Sequence, residues 1–166
     1  MRGAIAVNNS HSEELIMAER KASVRQLQGI TFAGKTDSNH WVVMDGPERF
    51  GGSDAGVRPK ELILISLGGC TGSDVVSILQ KKRSPLQGCE INLTAHVRDE
   101  YPQVFTDIHI EYVIYGEDVR PADVERAIEL STTTYFAVSA MLKPSVKLTH
   151  AYRIEPAPKP GHPEQT

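Results

Sequence analysis

Ser66-Leu-Gly-Gly-Cys-Thr-Gly-Ser73 is the stretch around which the rest of the chain is organised. The apolar run Glu61-Leu-Ile-Leu-Ile-Ser-Leu67 leads into it, and Asp74-Val-Val-Ser-Ile-Leu-Gln-Lys-Lys-Arg83 leads out. The three segments read as one long helix from Pro59 to about Arg83, with Cys70 near its middle. Pro59 suits the first helical position, where no backbone N–H is needed. Glu61 in the first turn and Lys81, Lys82 and Arg83 in the last carry the signs that the helix dipole favours. Leu62 to Leu67 is apolar nearly all round, so this half is expected to be buried on every side. Gly68, Gly69 and Gly72 each cost about 1 kcal/mol against Ala in a helix interior. Three such costs around one cysteine imply a close approach, either by a neighbouring backbone or by a ligand. The competing reading is tight helix packing around a buried, inert thiol.

Outward from this helix the chain is an ordinary globule. It has 166 residues, 40% apolar and 23% charged, with a net charge of −3. That length suits one full-sized core. The charge leaves no basic stripe, so no nucleic acid partner is expected. Two cysteines are too few for a disulfide framework and fit a reducing, cytoplasmic setting. Ala4-Ile-Ala-Val7 is too short for a signal-peptide core, and no membrane-spanning run is expected.

Before the helix, Ser12 to Arg20 reads as a short helix or a mobile arm, so residues 1–21 are set apart. Ala22 to Ala33 reads as a strand with a bulge at Gly29, and His40-Trp-Val-Val-Met44 as its hairpin partner. Asp45 to Val57, with four glycines and a proline, reads as a loop leading into the helix. After the helix, Cys89 to Arg98 alternates, with Ile91, Leu93, Ala95 and Val97 on one face. Val104 to Tyr115 alternates too, with Ile108, Ile110, Tyr112 and Ile114 inward. One wet and one buried face is the pattern of an antiparallel sheet. Pro121 opens a second amphipathic helix running to Met141 or Leu142, and Val146 to Ile154 is the last strand. Residues 156–166, rich in proline, read as a disordered tail. The expected class is α+β, in the order β-β-α-β-β-α-β, over residues 22–155. A helix apolar all round in so small a domain needs cover from outside, and a second subunit is the economical source.

The remaining polar residues carry weaker signals. His96, His109 and Glu111 share an outer strand face, which fits a solvated surface better than a metal site. His150 lies on an apolar face and reads as a satisfied core histidine. Trp41 reads as core or subunit interface. No phosphate loop or nucleophile elbow is present, and no metal or cofactor is expected.

Several segments in register carry a family resemblance. Gly68-Gly-Cys70, Ser73-Asp-Val-Val-Ser-Ile-Leu79, Cys89-Glu-Ile-Asn-Leu93, Phe105-Thr-Asp-Ile, Tyr135-Phe-Ala-Val and Leu148-Thr-His-Ala-Tyr152 occur in the order of the OsmC/Ohr family. The match is similar to its YhfA-like branch in particular. The resemblance implies an intertwined homodimer with the long helices between sheets. It also implies thiol-dependent reduction of organic hydroperoxides in the stress response, with Cys70 as the peroxidatic residue. The chain departs from the family at two places. Phe136 stands where the family has its resolving Cys, so an external thiol reductant is implied. Lys60 stands where the peroxidases have a Glu, which leaves Glu61 as a substitute. The family's arginine falls on Arg25, Arg49 or Arg58. Cys89 does not fit as a replacement resolving residue, because a helix running to Arg83 ends about 20 Å beyond Cys70. The alternative is a non-catalytic protein of this fold that binds an apolar or lipid-like ligand between subunits.

Overall fold

A computed structural model describes residues 19–157 apart from Phe136, and the backbone alone of Tyr135. The expected arm before residue 19 and the tail from residue 158 lie outside the described residues. The chain divides into two compact units, one ending at Val57 and the other starting at Arg58.

The N-terminal unit holds a three-stranded antiparallel sheet of β1 (Ala22–Gln28), β2 (Thr31–Thr36) and β3 (Trp41–Met44), in that order. This corrects the reading of Ala22 to Ala33 as one strand. Gly29 is not a bulge. It takes φ +54°, a left-handed conformation, and turns the chain back between β1 and β2. The register pairs Val24 with Gly34 and Gly34 with Val42, so these share one face. Arg25, Ala33 and Val43 share the other. After β3 the loop hangs on Asp45, which is 1% exposed. Its carboxylate accepts the amides of Gly46 (2.7 Å), Ser53 (3.0 Å) and Ala55 (3.1 Å).

The C-terminal unit opens with α1 (Glu61–Lys81). It starts two residues later than expected, since Pro59 and Lys60 form the preceding turn. It stops short of Arg83 because Arg83 adopts φ +56° and the Ser84 amide bonds back to Leu79 O at 3.0 Å. By length and composition α1 could cross a membrane, with mean hydropathy 1.8, which the sequence reading did not anticipate. One face of it is nevertheless core: Leu67, Gly68, Thr71, Val75 and Leu79 are buried. Burial on every side is not what the single chain provides, because Ile63 is 38% and Ile65 58% exposed.

The second sheet is β4 (Gly88–Val97), β5 (Phe105–Tyr115) and β6 (Lys147–Glu155), with β5 in the centre. Ile108, Ile110, Tyr112 and Ile114 of β5 are fully buried, as the alternation predicts. β4 and β5 are antiparallel, but β5 and β6 are parallel, so the sheet is mixed and not purely antiparallel. The reason is the helical crossover that joins them, which returns the chain to the same end of the sheet.

That crossover is also not one helix. It consists of α2 (Pro121–Leu130), a π-helical turn (Ser131–Tyr135) and α3 (Ala137–Leu142). The break falls at Ser131-Thr-Thr-Thr-Tyr135, where Thr132 and Thr133 hydroxyls both donate to Glu129 O, at 3.0 and 2.7 Å. Such hydroxyls compete with backbone amides for the same carbonyl and open the helical ladder. The order is thus β-β-β-α-β-β-α-α-β, one strand and one helix more than expected.

Candidate functional site

The three glycines around Cys70 divide by role. A Cβ on Gly68 would meet Leu93 Cδ1 at 2.8 Å, and one on Gly72 would meet Ile91 Cγ1 at 3.0 Å. These two let α1 settle onto β4, so the close approach expected there comes from side chains of β4 and not from backbone. Gly69 is exposed, and a Cβ there would meet no atom of the described residues within 4 Å.

Cys70 sits between that open position and fully buried Thr71. It is a free thiol, half-buried against the apolar core. Along the glycine face of α1 runs an open apolar groove of about 520 Å³, flanked by Leu64, Ile65, Val76, Cys89, Ile91 and Leu93. The cysteine that lines the groove is Cys89, not Cys70. Cys89 is also a free thiol, the second residue of β4, and its pKa is pushed up to about 11 by burial and by the charge of Glu90. A thiol so raised is a poor nucleophile at neutral pH.

The other residues picked out by sequence have contacts of their own. Glu61 opens α1, and its Oε2 accepts the Arg58 amide at 3.3 Å, closing the helix start. Cys70 lies nine positions after Glu61 on α1, about 14 Å along the axis. The structure therefore does not bring the two together within one chain. Lys60 Nζ donates to Gln103 O at 3.1 Å and lies 5.3 Å from the Phe105 ring centre, so it ties the helix start to the β4–β5 hairpin. Arg25 and Arg49 belong to the N-terminal unit, where Arg25 lies over Trp41 (5.6 Å) and Arg49 over Phe50 (5.0 Å). Trp41 is not core in the chain; it is 49% exposed. Phe136 lies outside the described residues.

The outer strand face shows ordinary pairing. His96 Nδ1 is 2.7 Å from Asp107, His109 Nδ1 is 2.9 Å from Thr149 Oγ1, and Glu111 is 3.8 Å from Arg153. Among the described residues no three His, Cys, Asp or Glu side chains are grouped to hold a metal.

Sequence reasoning missed a polar line through the core behind Cys70. Thr71 Oγ1 is 2.7 Å from Tyr112 Oη and 3.4 Å from Ser131 Oγ. Tyr112 Oη is 3.2 Å from His150 Nδ1, and Ser131 Oγ donates to Asp74 Oδ2 at 3.4 Å. The signal was present: Thr71, Tyr112, Ser131 and His150 all fall on positions with inward periodicity, yet each carries a polar atom. His150 is thus satisfied, as expected of a core histidine. Burial holds its pKa below the ordinary histidine value, helped by the charges of Lys143 and His109. Burial raises the Tyr112 phenol, partly offset by its hydrogen bond with Thr71.

The sequence pattern of OsmC-like proteins matches residues 51–151, which include all of α1, both strands of the hairpin, and the crossover. The chain belongs to the OsmC-like family. Protein YhfA of Escherichia coli (strain K12) is 40% identical over 134 residues, covering 81% of this chain and 97% of YhfA. A hypothetical protein from Aquifex aeolicus VF5 superposes with TM-score 0.75 at 32% identity, over 86% of this chain and all of that one (100%). An organic hydroperoxide resistance protein from Elizabethkingia anophelis shares the fold, with TM-score 0.65 at 13% identity, over 85% of this chain and 99% of its own.

Proposed function

We propose that this OsmC-like protein reduces organic hydroperoxides through Cys70, as a cytoplasmic homodimer served by an external thiol. The observation that carries the reading is the setting of Cys70. It is a free, half-buried thiol on the core helix, directly after the exposed Gly69. The name of the Elizabethkingia protein supports the substrate class. In the reaction the Cys70 thiolate attacks the distal peroxide oxygen. The O–O bond breaks, an S–O bond forms, and the alkoxide takes a proton to leave as the alcohol. The resulting sulfenic acid is then reduced by two equivalents of thiol, giving a disulfide of the reductant and water. Phe136 supplies no thiol, so the reductant comes from outside the chain. Ile65 and Gly69, one turn apart on α1, are both exposed along the groove, and Ile63 is exposed on another side of the helix; a second copy would cover this apolar surface.

The test compares dithiol-supported consumption of cumene hydroperoxide by wild type, Cys70→Ser and Phe136→Cys. Wild type is expected to form a sulfenic acid that a dimedone-type probe traps, with no intrachain disulfide. Phe136→Cys is expected to form the disulfide and to turn over with a dithiol. Equal inertness of wild type and Cys70→Ser, together with failure of peroxide to modify Cys70, defeats the proposal. The groove supports a second reading, a binding protein for an apolar ligand, because its walls carry Leu64, Ile65, Val76 and Leu93 and not Cys70. Retention of a lipid-like molecule by an inert wild type would favour that reading.

A further inference from the structure

The buried polar line joins two clefts. One holds Asp74 with Ser77, Lys81 and Lys82. The other lies between α2 and β6 and holds His150 with Glu125, Glu129 and Tyr152. Between them Ser131, Thr71 and Tyr112 are fully buried, so water cannot exchange with their hydroxyls in this conformation.

Counting hydrogens gives the line a direction. In its carboxylate form Asp74 only accepts, and each hydroxyl has one hydrogen to give. Ser131 gives its hydrogen to Asp74, so across the 3.4 Å contact with Thr71 it must accept. Thr71, having given to Ser131, must accept from Tyr112 at 2.7 Å. Tyr112, having given to Thr71, must accept from His150 Nδ1 at 3.2 Å. That nitrogen therefore carries the hydrogen. In the opposite sense, with Tyr112 donating to Nδ1 and Thr71 to Tyr112, Thr71 and Ser131 would face each other with no hydrogen between them. Every hydroxyl hydrogen would still find an acceptor in that sense, but two buried oxygens would face each other lone pair to lone pair at 3.4 Å, a contact that the first sense turns into a hydrogen bond. The near-parallel rings of Tyr112 and His150, 23° apart with centroids at 6.0 Å, hold the imidazole in this pose.

We propose that Tyr112, Thr71 and Ser131 are positioning residues that carry the acceptor demand of Asp74 through the core and hold neutral His150 as the Nδ1–H tautomer, leaving Nε2 as a free acceptor at the α2–β6 cleft. The nitrogen that bears the proton is set by the partner of the other one, and here that partner is the end of a chain starting on α1. Glu125 and Glu129 from α2, Tyr152 from β6, His109 from β5 and Lys143 beyond α3 are the other groups around the ring. Tyr152 is already committed, donating to Glu125 at 2.8 Å. The inference does not rest on peroxide chemistry at Cys70, although Asp74 lies one helical turn beyond that residue.

The test is nitrogen–proton correlation NMR of the histidine rings in the full chain, above the His150 titration, with His150→Gln identifying the signal. Wild type is expected to show a protonated Nδ1 and a lone pair on Nε2. Asp74→Ala removes the terminal acceptor, and Tyr112→Phe cuts the line beside the ring. Each is expected to abolish the single tautomer and to populate Nε2–H. A wild-type ring protonated on Nε2 overturns the proposal whether or not either variant folds. So does a folded Asp74→Ala protein with the wild-type tautomer.

Discussion

The described residues build two three-stranded sheets that are buried unequally. In the C-terminal unit β5 lies between β4 and β6, and Ile108, Ile110, Tyr112, Val113 and Ile114 are all fully buried. In the N-terminal unit every residue of β1 is exposed, and Ala33 is the one buried apolar residue among those described. Val24, Phe32, Trp41, Val42 and Val43 remain 36–59% exposed there. The same strand chemistry thus yields a core in one unit and an open apolar surface in the other. What differs is the helical cover, since a sheet needs a layer against one face to bury it.

The largest test of this contrast uses one kind of substitution in both sheets. Ile110→Ala is expected to cost about 2–5 kcal/mol in denaturant unfolding. Val24→Ala should stay within about 0.5 kcal/mol in a monomer. A loss near that of Ile110→Ala, growing with protein concentration, would mean that a second copy supplies the missing cover. Next in size, Gly52→Ala would set a Cβ 2.0 Å from Gly46 O, a backbone atom that cannot swing away. It should cost roughly 1–3 kcal/mol and act on the Asp45 loop alone. Gly51→Ala beside it would meet no atom of the described residues, but its φ of +82° makes it strained, so it reports the backbone cost without the contact.

Acid should probe both units. The Ala55 amide is the largest influence holding the Asp45 carboxyl below its usual range, and for Asp123 it is the hydrogen bond from Lys82. Both folded pKa values are lowered. Each therefore stabilises the fold fully above the unfolded value of about 3.9, and the contribution is lost as pH falls through the folded value. Melting temperature is expected to fall below about pH 4. Asp45→Asn should flatten that fall for the N-terminal unit, and Asp123→Asn for the other; an unchanged acid limb in both would refute the assignment. The smallest effect is expected from the ends. A chain from Lys21 to Glu155 should melt within a few degrees of full length, because the weak helical pattern before it and the prolines after it offer little to pack. A larger drop would show that an end is docked.

Much of the C-terminal unit was legible because period and burial agree: Ile108, Ile110, Tyr112 and Ile114 alternate and are all buried. Three features were not. The parallel pairing of β5 with β6 depends on where the crossover returns, which no local pattern encodes. The π-helical turn depends on competition by Thr132 and Thr133 for one carbonyl, and the apolar spacing continues across it. Gly29 gave a signal, but a bulge and a tight turn both use left-handed glycine, and only the pairing register separates them. At the site, Cys70 stood out through its glycines. Their separate roles could not be read, because Gly68 and Gly72 answer to Leu93 and Ile91 on a strand remote in sequence, while a Cβ on Gly69 would meet nothing among the described residues.

Trp41 has a practical consequence. It is the chain's one tryptophan, half in water, with the Arg25 guanidinium 5.6 Å and the Lys35 ammonium 5.1 Å from its ring centre. Indole emission shifts to shorter wavelength when water leaves the ring, and two flanking cations make it sensitive to any charge brought alongside. The open sheet therefore carries its own optical reporter. Intrinsic fluorescence followed on dilution would register the arrival or departure of whatever covers the Trp41 face, with no label and no change to the thiols.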